Sequence, residues 1–214
     1  TDMATPVAAK YGVELRRTLT GFKFIGEKVA KYEKTQAKNY VFGYEESYGS
    51  LIKPFVRDKD APQACLMLAE AACFYKAQGK TLVDVLNGLY AELGYYKESQ
   101  TSLTLKGQEG ALRIKEILDT LRKDKPAQIG GTAVVAIEDY QEATREENGV
   151  IAALEGFSRS NVLKYYLADG SWIAIRPSGT EPKCKFYYCI KGASAQDAEA
   201  KTEIMQKAIA DLVA

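Results

Sequence analysis

The chain contains no histidine. That absence removes every Ser-His-Asp and Cys-His nucleophile arrangement and leaves Glu, Asp, Lys, Tyr and Cys as the side chains able to move a proton. Long apolar runs are also missing: none approaches the ~20 residues a membrane-crossing helix needs. The opening "TDMATPVAAK" lacks the basic-then-apolar layout of a secretory leader. A cytoplasmic location with no membrane partner is therefore expected. An excess of one charge is lacking as well. With 29 Lys and Arg against 28 Asp and Glu, the net charge is +1, which argues against a nucleic-acid partner held by bulk electrostatics. Cysteine is scarce. Cys65, Cys73, Cys184 and Cys189 form no C-x-x-C pair, and without histidine they give no zinc site. All four are expected to be reduced thiols, and no metal is expected on this chain.

What is present is enough for one large domain or two small ones, since 214 residues can bury a real core. Residues 1–95 alternate between helical and strand-like patterns, which predicts an α/β domain with a mixed or parallel sheet and flanking helices. "ATPVAAKYG" reads as a short helix ended by Gly12, "VELRRTL" as a strand and "FKFIGEKVAKYEK" as a helix. "NYVFGY" reads as a short buried strand. Asp60 and Pro62 open a helix whose apolar stripe is Cys65, Leu68, Ala72 and Tyr75. Thr81 opens the next, with Leu82, Val85, Leu86, Leu89 and Leu93 facing inward. A helix at the outset with no strand before it suggests an α/β layer that lacks its first strand. Residues 96–214 change character and predict a small antiparallel α+β domain. "YYKESQTSLTL" alternates like a strand, and Leu112, Ile114, Ile117, Leu118 and Leu121 mark a helix. "TAVVAIEDY" reads as a strand, residues 141–160 as a polar loop, and "NVLKYYLADGSWIAIRPSG" as a hairpin turning at Asp169-Gly170. "KCKFYYCI" is a further strand, and Ser194 opens a last amphipathic helix through Ile204, Ala208 and Leu212.

Two stretches carry chemistry. In "RPSGTEPKCK", Pro177 and Pro182 stiffen a loop between two strands, and Gly179 exposes backbone N–H groups. Ser178 and Thr180 bring hydroxyls, Arg176 a planar fork and Lys183 a point charge. Together they compose an anion cradle; a stiff turn built from ordinary turn-formers is the plainer reading. "GYEESYG", residues 43–49, admits an acid/base pair, a sugar-binding turn or a solvated loop tip. Neighbouring strand residues point to opposite faces, so Glu45 and Glu46 are poorly placed to flank one glycosidic bond at ~5–9.5 Å. Tyr165, Tyr166, Tyr187 and Tyr188 raise base stacking on single-stranded nucleic acid as a further reading, set against strand-core packing.

"RPSGTEPK" resembles the phosphate-binding loop of the α-D-phosphohexomutases, the phosphoglucomutase and phosphomannomutase superfamily. "GYEESYG" resembles the same family's sugar-binding loop, and "TGFKFIG" and "RDKDA" match further segments in the right order. The resemblance implies residues 1–95 as most of a third domain and residues 96–214 as a fourth, TBP-like domain. It implies that Glu45 and Ser47 hold sugar hydroxyls, that Thr20 and Gly21 help position the sugar, and that Lys59 is a basic residue near the active site. Arg176, Ser178, Gly179, Thr180 and Lys183 would hold the non-transferred phosphate. Tyr48 and Gly49 stand where some mannose/glucose enzymes have a glycine and a histidine, which points towards glucose or a pentose. The family's phosphoserine loop and repeated-aspartate metal loop are not in these residues. The implied whole is a phosphoprotein, an isomerase acting as an intramolecular phosphotransferase between hexose 1- and 6-phosphates. It would use Mg²⁺ and a hexose 1,6-bisphosphate, with the remaining domains of the same enzyme as partners. This chain would bind the sugar phosphate and be inactive by itself. A stand-alone sugar-phosphate-binding module and phosphopentomutase specificity are the alternatives.

Overall fold

The computed structural model describes residues 1–179 and 181–214. Thr180, assigned above to the phosphate loop, lies outside the described residues. The chain divides into two compact units, Ala8–Glu92 and a second made of Thr1–Val7 with Leu93–Ala214. The expected division ran at residue 95. The first seven residues pack with the second unit because Asp2 accepts a hydrogen bond from the Trp172 indole at 2.9 Å.

The helices and strands of the first half are α1 (Ala4–Lys10), α2 (Phe22–Thr35), β1 (Gly43–Tyr44), β2 (Ser50–Leu51), α3 (Ala61–Lys76) and α4 (Leu82–Leu93). Local chemistry sets their ends. Asp60 accepts the Gln63 N–H at 3.0 Å to cap α3, with Pro62 in its first turn. Thr81 and Asp84 exchange hydrogen bonds before α4. β1 and β2 pair antiparallel, Gly43 opposite Leu51. Residues 13–19 form no strand, contrary to expectation, because a strand needs a neighbour to take its backbone groups and among the described residues none pairs with them. The inward stripes expected on α3 and α4 are not buried either. Neither helix has a buried residue, and Leu66, Leu68, Phe74 and Val83 are each at least 60% exposed.

The second unit follows with β3 (Tyr95–Thr104), α5 (Gly107–Lys123), β4 (Gln128–Ile129), β5 (Thr132–Asp139), β6 (Thr144–Glu147), β7 (Val150–Ala153), β8 (Leu163–Leu167), β9 (Trp172–Pro177), β10 (Lys183–Gly192) and α6 (Ala195–Val213). Its strands make one antiparallel sheet in the order β3-β10-β9-β8-β5-β6-β7, with β4 added to β5. Strand residues alternate between faces. One face, with Leu163, Tyr165, Ile173, Ile175, Cys184 and Phe186, packs under α5 and α6 as a single core. The other carries Glu138, Lys164, Tyr166, Trp172, Arg176 and Lys185. An α/β arrangement followed by an antiparallel α+β unit matches the expected class.

Three details differ from the sequence reading. Residues 141–160 hold the β6–β7 hairpin, turned at Asn148-Gly149 with φ of 52° and 75°, a positive-φ pair suited to a two-residue turn. Leu112 is 62% exposed while the rest of its helical stripe is buried. On α6 the buried face is Ala198, Thr202, Met205, Ile209 and Val213, leaving Ile204 and Leu212 exposed.

Candidate functional site

Within Ala8–Glu92, three of the sequence motifs meet through glycines that leave no room for a side chain. A methyl group built on Gly26 would lie 2.5 Å from the Arg57 carbonyl oxygen, so "TGFKFIG" docks directly on "RDKDA". One on Gly43 would lie 2.9 Å from Ile25 Cγ2, joining "TGFKFIG" to "GYEESYG". One on Gly49 would lie 2.7 Å from Glu45 Oε1 and 2.6 Å from Lys59 Cδ. Glu45 and Lys59 therefore approach each other over Gly49, at the mouth of a turn closed by the Glu45 N–H donating to the Gly49 carbonyl at 2.9 Å. Glu45 is half-buried, whereas Glu46 and Ser47 are exposed at the tip beside the fully exposed Tyr48.

Lys59 is placed by two groups. Its Nζ lies 3.1 Å from Asp58 Oδ1 and 5.9 Å from the centre of the Phe22 ring. Phe22 is buried at the start of α2, directly after Thr20 and Gly21. Gly21 caps that helix with φ 124°, a conformation few side chains tolerate, and Thr20 is exposed beside it. Thr20, Gly21, Glu45 and Lys59 thus belong to one surface of this unit, with Ser47 at its rim. Sequence reasoning missed two supports. Asp58 is held below the usual carboxylate range, first by the Lys59 backbone N–H and then by its ammonium group. Tyr40 donates to the Leu51 carbonyl at 2.7 Å, and burial pushes its hydroxyl up to about 12. The signal for both was adjacency to a motif, Asp58 within "RDKDA" and Tyr40 just ahead of "GYEESYG".

In the other unit, Arg176 sits near the end of β9 and Lys183 opens β10. The intervening loop is pinched at its neck, where the Ser178 N–H donates to the Lys183 carbonyl at 2.7 Å. Across it the Glu181 N–H reaches Ser178 Oγ at 3.3 Å. Gly179 is exposed, and Arg176 and Lys183 are half-buried with no carboxylate at ion-pair distance among the described residues. Two uncompensated cations flanking one loop form a surface that favours an anion. The units are distinct bodies, and each carries its own set of candidate residues.

The chain matches two domain models, "Phosphoglucomutase/phosphomannomutase, alpha/beta/alpha domain III" over residues 1–93 and "Phosphoglucomutase/phosphomannomutase, C-terminal domain" over residues 121–207. The chain belongs to the phosphoglucomutase/phosphomannomutase family. Curated phosphoglucomutases of Staphylococcus aureus strains bovine RF122 / ET3-1 and MRSA252 are each 38% identical over 206 residues, covering 95% of this chain. The chain spans 37% of the length of these relatives. Among solved structures, the open form of the Paramecium exocytosis-sensitive phosphoprotein pp63/parafusin, a phosphoglucomutase, shares the fold with a TM-score of 0.64 and 22% identity. That match covers 99% of this chain and 36% of that one.

Other features fall outside the motifs. A cavity of about 260 Å³ lies beside α5, β5 and β6. Of its charged side chains, Arg122 pairs with Asp139 at 2.9 Å and Lys125 with Glu146. Tyr165 and Tyr188 are 0% and 1% exposed in the core, so the stacking reading loses two of its four rings. Among the described residues, no group of three or more His, Cys, Asp or Glu could hold a metal ion. No described helix is long and apolar enough to cross a membrane.

Proposed function

We propose that this chain is the sugar- and phosphate-binding part of a cytoplasmic phosphohexomutase that interconverts hexose 1-phosphate and hexose 6-phosphate, with glucose preferred. The observation that carries the reading is the loop from Arg176 to Lys183, a pinched neck with uncompensated cations in a string the family uses for phosphate. The names of the Staphylococcus relatives support glucose as the sugar, and so do Tyr48 and Gly49.

Phosphoryl transfer asks a protein mainly for positioning and charge stabilisation. Arg176, with Ser178, Gly179, Thr180 and Lys183, grips the phosphate that is not being transferred. That grip is indifferent to which end of the sugar carries the group, so it serves both orientations of a hexose 1,6-bisphosphate. Glu45 and Ser47 accept and donate hydrogen bonds at sugar hydroxyls, with Thr20 and Gly21 setting the adjoining wall. Lys59, fixed by Asp58 and Phe22, supplies positive charge beside Glu45. The phosphoserine and the Mg²⁺ belong to domains of the same enzyme beyond these residues.

Incubated with glucose 1-phosphate, glucose 1,6-bisphosphate and Mg²⁺, the 214-residue chain should form no glucose 6-phosphate. A longer protein carrying these residues should do so, faster than it turns over mannose or ribose 1-phosphate. Turnover by the 214 residues alone would overturn the division of labour. Failure of the longer protein to act on any of the three would overturn the mutase reading.

A further inference from the structure

The large sheet of the second unit ends in an unguarded strand. β7 is last in the strand order and, among the described residues, pairs only with β6. All of its residues are exposed, Val150 by 67% and Ile151 by 64%, and no charge stands between Gly149 and Glu155. Sheet edges commonly carry charges or proline that keep foreign strands away. The opposite edge, β3, follows that rule: Lys97 pairs with Glu199 at 2.6 Å and Glu98 with the N-terminal amine at 4.0 Å. Register decides which backbone groups of β7 are free. In an antiparallel pair, hydrogen-bonded and non-hydrogen-bonded positions alternate. The Leu154 N–H donates to the Ala143 carbonyl at 2.8 Å, and Ala152 and Val150 repeat that position against Arg145 and Glu147. The N–H and C=O groups of Ile151 and Ala153 therefore point out of the sheet edge.

We infer that β7 is a self-association edge, at which two copies of this chain join antiparallel about a twofold axis through Ala152. With Ile151 of each copy opposite Ala153 of the other, every outward N–H meets an outward C=O. A shift by two residues leaves one of the two without a strand residue to face, so the backbone selects this register. The side chains agree with it. Ile151 shares a cross-strand row with Glu146, Ile137 and the buried Tyr165, on the face under the helices, and it rests beside a small alanine of the other copy. On the open face Ala152 meets its own counterpart at the axis and Val150 meets Leu154. Large residues lie beside small ones and no like charges are opposed, as a twofold interface that uses one patch twice requires. A strand this short makes an interface below about 1,200 Å², so the dimer is weak, with a Kd on the order of 100 μM.

Sedimentation equilibrium of the 214-residue chain, from about 10 μM to about 1 mM, should show monomer and dimer exchanging. Ala153→Pro removes an outward donor and leaves the ladder to β6 whole, so it should stay folded and sediment as a monomer. Cross-linking tests the register. In a chain that also carries Cys65→Ser and Cys73→Ser, Ala152→Cys should form an intermolecular disulfide on oxidation, because residues facing at the axis have Cα atoms about 4.5 Å apart. Val150→Cys, which faces Leu154 instead of itself, should not. A monomer at every concentration contradicts the inference, and so does a dimer that survives in folded Ala153→Pro. Cross-linking of Val150→Cys in place of Ala152→Cys overturns the axis at Ala152. Should Ala153→Pro fail to fold, the two cysteine variants decide alone.

Discussion

Cys184 and Cys189 show how burial changes a residue's chemistry. Both are buried, and desolvation pushes their thiols up from 9.0 to about 11 and about 12. Cys65 and Cys73 are exposed on α3. A thiolate-trapping reagent should therefore label two of the four thiols in the native chain and all four in urea. The same shift gives a pH dependence of known sign. Between pH 9 and the folded values the unfolded chain gives up protons that the folded chain keeps, so stability falls as pH rises. Urea melts at pH 7.5 and near pH 10, in the range those shifts define (about 9 to 12), should show the drop. A flat profile would mean the thiols are not desolvated. Residue chemistry in the motifs was legible from the sequence, because Ser and Gly between two prolines, flanked by Arg and Lys, suit an anion wherever they fold.

At the scale of elements, most of the second unit could be read before folding. β3, β5, β8, β9 and β10 lie where alternation puts them, and Asp169-Gly170 turns the hairpin between β8 and β9. The β6–β7 hairpin was missed because "TREENGV" is polar enough to pass for a loop, although Asn-Gly is itself a strong turn signal. On α6 the reading took the wrong face by about one position. Ile204 and Met205 are neighbours about 100° apart on a helix of 3.6 residues per turn, and only contact with the sheet decides which turns inward. Met205 is 1% exposed and Ile204 is 52%. Met205→Ala should cost about 2–5 kcal/mol of stability, and Ile204→Ala at most about 0.5 kcal/mol, as for other surface changes. Equal losses in chemical melts would show that the helix packs on the other face.

For the whole molecule, the two units differ in how fully they bury their apolar residues. The unit from Leu93 onward has a continuous core under two helices, and five of its strands could be anticipated from pattern. The unit from Ala8 to Glu92 leaves the stripes of α3 and α4 in solvent. Its sequence pattern is right for an α/β layer, but a stripe reports only that a helix expects a neighbour and says nothing of which. Its motifs converge all the same, because Gly26, Gly43 and Gly49 let them touch without help from a larger core. One calorimetric titration of glucose 6-phosphate into the 214-residue chain tests the proposed binding most directly. Arg176→Ala should weaken binding by about 2 kcal/mol, roughly thirtyfold, through loss of a charge-assisted contact. Glu45→Gln should weaken glucose 6-phosphate binding while leaving inorganic phosphate unaffected. Undiminished affinity for glucose 6-phosphate in Arg176→Ala would contradict the phosphate-anchoring role at its root.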